Sequence, residues 1–220
     1  MADKKYEFTG ETKEWYGHTL HRIRAIVDIE YVKAGEVGGW IETENNLSER
    51  GNAWVCGDAE VYDDAKVYGD AKVCGDAKVY GNAKVCGDAE VCGNAEVYDD
   101  AKVCGDAEVC GDAKVCGDAK VYDDAKVCGD AKVCGDAKVC GDAKVKQSSD
   151  FIVIKNCWSS MRWFTYTRSN KKWKVGCFHG SGEELVAKAY KDGEKSGRCY
   201  EAIVKAVEAI EAATAEGGAE

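Results

Sequence analysis

The hydrophobic and polar positions of residues 51–146 repeat with a period of six, sixteen times without a gap: GNAWVC, GDAEVY, DDAKVY, GDAKVC and onward to GDAKVK. In each hexad Ala and Val stand two apart, as Ala59 and Val61 do. Strand side chains alternate between faces, so Ala and Val share one face while Lys or Glu shares the other with Cys or Tyr. Lys66 and its equivalents cannot line a dry core. Ala and Val therefore point inward. The two remaining positions hold Gly or Asp, then Asp or Asn, which tolerate left-handed backbone and make turns. Each hexad reads as one short strand plus one bend, with Asp58 and its equivalents bonding their own bend.

A short fixed period marks a solenoid whose units stack into one continuous core. The spacing of an aliphatic residue, three others and a small residue resembles the hexapeptide signature of left-handed parallel β-helices. In that fold three hexads close a triangular coil and residues eighteen apart stack. The columns at that spacing support it over a two-sided roll of twelve. One reads Cys56, Cys74, Cys92, Cys110, Cys128, and another Lys66, Lys84, Lys102, Lys120, Lys138. A third, Glu60, Lys78, Glu96, Lys114, alternates in sign as stacked neighbours prefer. At about 4.8 Å per coil the rod is roughly 25 Å long.

Residues 1–50 read as an N-terminal β cap over the open end of the solenoid. YEFTGETKEW and HTLHRIRAIVDI have strand character, broken at Gly10 and Gly17, and Trp40 and Trp54 are suited to plug the first coil. Residues 151–220 read as a C-terminal βββαα domain. Its strands are FIVIKN, MRWFTYTR and KWKVGCF. Ser181 and Glu184 form a capping box ahead of the first helix. The second helix places Tyr200, Ile203, Val204, Val207 and Ile210 on one face.

The run from HTLHRIRAIVDIEYVKAG through GGWIETENNLSERGNAWV resembles the entry to the YdcK-type hexapeptide-repeat proteins of bacteria, where a VKAG…GGW segment and an N-x-L-S run lead into hexads of the G-N/D-A-x-V kind. The match covers about 1–146. It implies the left-handed β-helix of the acyltransferase-like superfamily, and similar hexad proteins occur in phages and gut bacteria. VGCFHGSGEELVAKA is similar to a small tail domain on other phage hexad proteins. The chain departs from the YdcK type in its uninterrupted repeat and its different C-terminal part.

The net charge of −10 is uneven: −8 falls on 51–146 and +5 on 147–178. Of 13 cysteines, ten lie in the repeat. So many thiols, odd in number, fit a reducing cytoplasm better than secretion. Nothing resembles a signal peptide, and no apolar run is long enough to cross a membrane.

The acyltransferase chemistry that the resemblance implies needs a general base, usually His. The repeat has none: His18, His21 and His179 lie outside it. Cys157, Cys177, His179 and Cys199 offer a Cys₃His set for zinc but lack tight C-x₂-C pairs, and no metal or cofactor is assigned. The cysteine column could hold soft metals, or serve as β-compatible filler or as contacts between copies. The acidic columns lack the Gly-Gly-x-Gly-x-Asp spacing of calcium β-rolls.

Basic and aromatic residues interleave over 161–174. Arg162, Arg168 and Lys172 alternate with Trp163, Tyr166 and Trp173, a pattern that could hold phosphates and stack bases. It does not match an RNP motif, and the plainer reading turns the aromatics to the helices and the cations to water.

Together these features point to a non-enzymatic structural or interaction protein that presents flat repeating faces, with a C-terminal module for self-association or partner capture. The candidate contact residues are Arg162, Trp163, Tyr166, Arg168, Lys172, Trp173 and the column Tyr62, Tyr80, Tyr98. A homo-oligomer is expected, with a host protein as a further partner and nucleic acid as a lesser one. The alternatives are a phage-encoded inhibitor or decoy, whose carboxylates would mimic a duplex, and a degenerate acyltransferase relative. The interleaved lysines weaken the decoy field.

Overall fold

The computed structural model describes residues 4–156 and 161–216. The chain divides into two compact units, 1–152 with 167–170 and 153–166 with 171–220.

The first unit is a three-sided parallel β-solenoid of about six turns. The fourth and fifth residues of each hexad form its strand, as in Lys66–Val67. Each strand pairs in register with the one eighteen residues on. Val61, Val79, Val97, Val115 and Val133 stack on the first face, and Val67, Val85, Val103, Val121 and Val139 on the second. Val55, Val73, Val91, Val109, Val127 and Val145 stack on the third. Three hexads therefore make one coil. The alternation of faces is obeyed throughout, with every Ala and Val of the hexads buried at 0–1% exposure. Fully burying each Val contributes roughly 1.5–3 kcal/mol, which repays the ordering of a six-residue unit only because the units stack.

Each coil donates its N–H groups to the following coil. Lys66 N–H reaches Ala83 O at 2.9 Å and Tyr68 N–H reaches Val85 O at 3.1 Å. The solenoid thus ends in open carbonyls at its N-terminal edge and open amides at its C-terminal edge. The flanking segments answer each with the opposite chemistry.

At the N-terminal edge β1 (Tyr6–Trp15) and β2 (His18–Ala25) form an antiparallel hairpin. β3 (Val37–Ile41) lies antiparallel to β2 and parallel to the strand Glu60–Val61. Donors meet the carbonyls: Trp40 N–H to Ala59 O at 2.9 Å and Ser48 N–H to Val67 O at 2.9 Å. The Lys5 ammonium donates to Ala53 O at 2.7 Å and Gly51 O at 3.2 Å, and the Asn46 amide to Asp63 O and Ala65 O at 2.9 Å each. The GGW run has a steric reason. A Cβ on Gly38 would stand 2.7 Å from Ile23, Trp54 and Val55 O.

Neither tryptophan plugs the coil. Trp40 is in register with Glu60 and Trp54 with Lys72, both outward positions. Lys13 and Arg22 cover the Trp40 ring, and the cap buries Trp54. Leu20, Ile23, Ile41 and Leu47, all at 0–1% exposure, close the core instead, because Ile41 and Leu47 continue the inward valine rows.

At the C-terminal edge acceptors meet the amides. Ser148 Oγ accepts Lys132 N–H at 3.1 Å, Ser169 Oγ accepts Lys144 N–H at 2.7 Å, and Asp150 Oδ2 accepts Lys146 N–H at 2.7 Å.

The second unit holds most of a four-stranded sheet, Phe151–Lys155, Trp163–Thr167, Lys172–Val175 and Phe178–Gly180 in sequence order. KWKVGCF is thus not one strand. It turns at Gly176 (φ +57°) and returns antiparallel, so the order is ββββαα. The helices are α1 (Gly182–Asp192) and α2 (Glu194–Glu216). Ser181 Oγ accepts Glu184 N–H at 3.2 Å and Glu184 Oε2 accepts Ser181 N–H at 2.7 Å, which completes the expected capping box. Tyr200, Val204 and Val207 are buried, but Ile210 is 46% exposed. With 23 residues, α2 runs to about twice the length of 11-residue α1, so its far end outruns that partner.

Candidate functional site

The outward residues of the hexads form straight rows, because in-register pairing repeats each position once per coil. The first face carries the tyrosine column. Tyr62 and Tyr80 stack at 5.1 Å with planes parallel, Tyr80 and Tyr98 at 5.1 Å and 4°. The spacing is that of the coils, so each ring face is occupied by its neighbour. The column offers edges and hydroxyls to a partner, with no open face for a base or sugar. Burial pushes Tyr62 up to about 12, and desolvation with the Glu96 carboxylate, which accepts the Tyr80 hydroxyl at 3.2 Å, raises Tyr80 further.

Beside this column runs a charged row. Glu60 is held between Lys13 Nζ at 2.8 Å and Lys78 Nζ at 3.6 Å, and Glu96 accepts Lys114 Nζ at 2.8 Å. His18 tops the column, its ring 5.1 Å from Tyr62. Its Nδ1 is 3.0 Å from Glu42 and its Nε2 3.5 Å from Asp63. The hydrogen bond to Glu42 raises its pKa. Among the described residues these three bring their ligand atoms within 4.8 Å of one another. Both ring nitrogens face carboxylates, however, so the arrangement serves as an ionic clamp between cap and first coil. Cys177 and His179 are exposed and Cys199 half-buried, and they do not converge in this way; Cys157, the fourth residue of the expected zinc set, lies outside the described residues.

The second face carries Lys66, Lys84, Lys102, Lys120 and Lys138 in one unmixed row, the like charges paired rung on rung. Asp64, Asn82, Asp100 and Asp118 run parallel to it, and the two rows line a furrow of about 580 Å³. The opposed rows offset each other's charge across the face, where stacked lysines alone would repel. The next row holds Tyr68, Cys86, Cys104 and Tyr122. A hydrogen bond from Cys104, helped by Tyr68, Lys102 and Lys84, pulls the Cys86 thiol down to about 6. The third face carries the column Cys56, Cys74, Cys92, Cys110, Cys128 beside Lys72, Glu90, Glu108 and Lys126.

In the second unit the interleaved stripe splits. Tyr166 and Trp173 are buried at 7% and 2% exposure, 5.1 Å apart, and Phe164 packs edge-on against Tyr200. Trp163 is half-buried with the Lys155 ammonium over its ring at 5.2 Å. Arg162 is exposed and lies against Gly176, and Lys172 is half-buried. Arg168 belongs to the turn 167–170 that groups with the solenoid, its N–H donating to Asp150 O at 2.9 Å. The aromatics that sequence spacing offered for stacking are therefore mostly core, and what the stripe leaves at the surface is its cations and half-buried Trp163. A groove of about 430 Å³ between α1 and α2, lined by Val186, Ala187, Val204 and Glu208, was not foreseen. The small residues Gly182 and Ala187 on α1 leave the room for it.

No protein-family model matches the chain, and no curated protein is similar to it at a significant level.

Proposed function

We propose that the protein is a non-enzymatic scaffold of the YdcK-type hexapeptide-repeat kind, which presents three flat ruled faces and self-associates through its C-terminal unit. The observation that carries this reading is the unbroken register. Sixteen hexads stack without an insertion, so charged, aromatic and thiol side chains stand in rows at one pitch. Such rows suit a partner with its own repeat, or a second copy, better than a small molecule. The repeat has no histidine to serve as an acyltransferase base.

Self-association is assigned to the α1–α2 groove, where half-buried Val186 leaves apolar surface open, and to exposed Ile210 farther along α2. Light scattering on the full chain tests it. The wild type elutes as one defined oligomer, and Val186→Glu with Ile210→Glu elutes as a monomer with an unchanged solenoid spectrum. An oligomer of the original size in the double variant overturns the assignment.

A further inference from the structure

Ten cysteines occupy the sixth position of hexads, and in-register pairing stacks nine of them on one another. The third face holds five on consecutive coils, because Val55, Val73, Val91, Val109 and Val127 pair directly before them. The second face holds Cys86 above Cys104, and the first Cys116 above Cys134. Thiols on successive coils touch. Cys56 bonds Cys74, Cys110 bonds both Cys92 and Cys128, Cys86 bonds Cys104 and Cys116 bonds Cys134. All are free thiols, and the members of the five-membered column are half-buried, reachable from solvent.

The pitch of this ladder is fixed by the backbone at about 4.8 Å. Two metal–sulfur bonds of about 2.3 Å laid end to end span about 4.6 Å. Touching sulfurs, such as Cys116 and Cys134 at 2.6 Å, must rotate apart to the coil pitch to admit a two-coordinate ion, which moves side chains but no strand. A tetrahedral ion does not fit, because it needs four donors around one point. In a straight column the third sulfur is already about 9.6 Å from the first. Among the described residues no three cysteine sulfurs converge within 4.8 Å. Thiolates select soft ions, and of the common ones Cu(I) accepts two ligands in line. Two thiolates and one monovalent cation leave one negative charge. Lys84 and Lys102 beside Cys86 stand close to offset it, while beside the third-face column Lys72 and Lys126 are matched by Glu90 and Glu108.

We propose that the stacked cysteines bind Cu(I), one ion between the two thiols of each touching pair, with each thiol serving one ion only. Each binding event forms two copper–sulfur bonds and releases two thiol protons to solvent, with no electron transferred. Pairing Cys56 with Cys74, Cys92 with Cys110, Cys86 with Cys104 and Cys116 with Cys134 gives four ions per chain. This inference does not rest on the scaffold reading.

The test is an anaerobic titration of the full, reduced chain with acetonitrile-stabilised Cu(I) against a competing chelator, followed by X-ray absorption. Four ions bind, each with two sulfur neighbours, and Zn(II) titrated alone gives no such stoichiometry. Two variants then separate adjacency from thiol count. Cys74→Ser with Cys110→Ser leaves Cys56, Cys92 and Cys128 on alternate rungs, and uptake falls from four ions to two. Cys110→Ser with Cys128→Ser also leaves three column thiols but keeps one touching pair, and uptake falls only to three. Serine at these outward, half-buried positions preserves the coil, which circular dichroism checks. Equal losses in the two variants, or four equivalents of Zn(II), overturn the proposal.

Discussion

Asp99 holds left-handed backbone at φ 58°, and its Oδ2 accepts the N–H of Gly117, one coil on, at 3.1 Å. Asp63 and Asp123 repeat this at φ 57° and 59°, bonding Gly81 at 3.1 Å and Gly141 at 3.2 Å. The carboxylate at this first position of the hexad links two coils, whereas turn chemistry alone assigns the second-position Asp58 and its equivalents to their own bends. Asp58 likewise reaches away, to Arg22 at 2.9 Å. An L-residue pays about 1–2 kcal/mol for this conformation, and the inter-coil bond returns about 0.5–1.5 kcal/mol. Asp99→Gly removes strain and bond together and unfolds in urea within about 0.5 kcal/mol of wild type. Asp99→Ala keeps the strain and loses the bond, and falls about 1–2 kcal/mol below Asp99→Gly. Equal stabilities for the two variants would remove the backbone strain from this account.

Lys5 is 3% exposed with its ammonium on two carbonyls of the first coil. Lys5→Met keeps the stem and strips the donors, which leaves Gly51 O and Ala53 O unanswered at a cost of about 2–3 kcal/mol. Burial pushes the Lys5 pKa down to about 8 from 10.5. The folded state therefore gives up this proton before the unfolded chain does. The stability linked to Lys5 is fully present above about 10.5 and is lost as pH falls through about 8. Between pH 8 and 10 the wild type gains stability that Lys5→Met does not, as denaturant midpoints at several pH values will show. Parallel curves for the two proteins contradict this.

The parts of the molecule that sequence reveals are those governed by period. Ala59 and Val61 fix which side of a strand is dry, and the alternating charges of Glu60, Lys78, Glu96 and Lys114 fix eighteen residues per coil; both hold in the structure. Contacts set by chain direction were not visible. Nothing in the composition of 1–50 says that carbonyls face the cap, and so nothing singles out Lys5 and Asn46 as donors. Trp40 and Trp54 looked like plugs on size alone, but register puts them outside. Tyr62, Tyr80 and Tyr98 were legible as a column, whereas the closure of their ring faces on each other needs coordinates.

Tyr62 of this column and Tyr68 of the second face set the alkaline limit. Burial pushes Tyr62 up to about 12, and a hydrogen bond donated to the Cys86 sulfur together with burial pushes Tyr68 to about 12. Free tyrosine ionises near 10. These groups are raised, so their contribution is complete below pH 10 and is lost as pH rises through about 12. Spectrophotometric titration should show column tyrosinates appearing only in that window, together with the loss of β circular dichroism. Ionisation of the column complete at pH 10.5 with the fold intact would contradict the burial assigned to it.

The two ends of the solenoid differ in chemistry, and the C-terminal one rests on hydroxyls. Ser148 and Ser169 accept the amides of Lys132 and Lys144, on the first and third faces of the last coil. Each is a neutral side chain–backbone bond worth about 0.5–1.5 kcal/mol. The coil they close has no successor, so its amides lack the partners that every interior rung has. Ser148→Ala and Ser169→Ala together therefore lower stability by about 1–3 kcal/mol, and the effect is local. Amide exchange of Lys132 and Lys144 accelerates, while Lys84 and Lys102, three and two coils from that end, keep their protection. A nearest-neighbour solenoid frays from an uncapped edge inward. If exchange rises equally in all coils, the last coil is not a separate unit and the end caps act on the molecule as a whole.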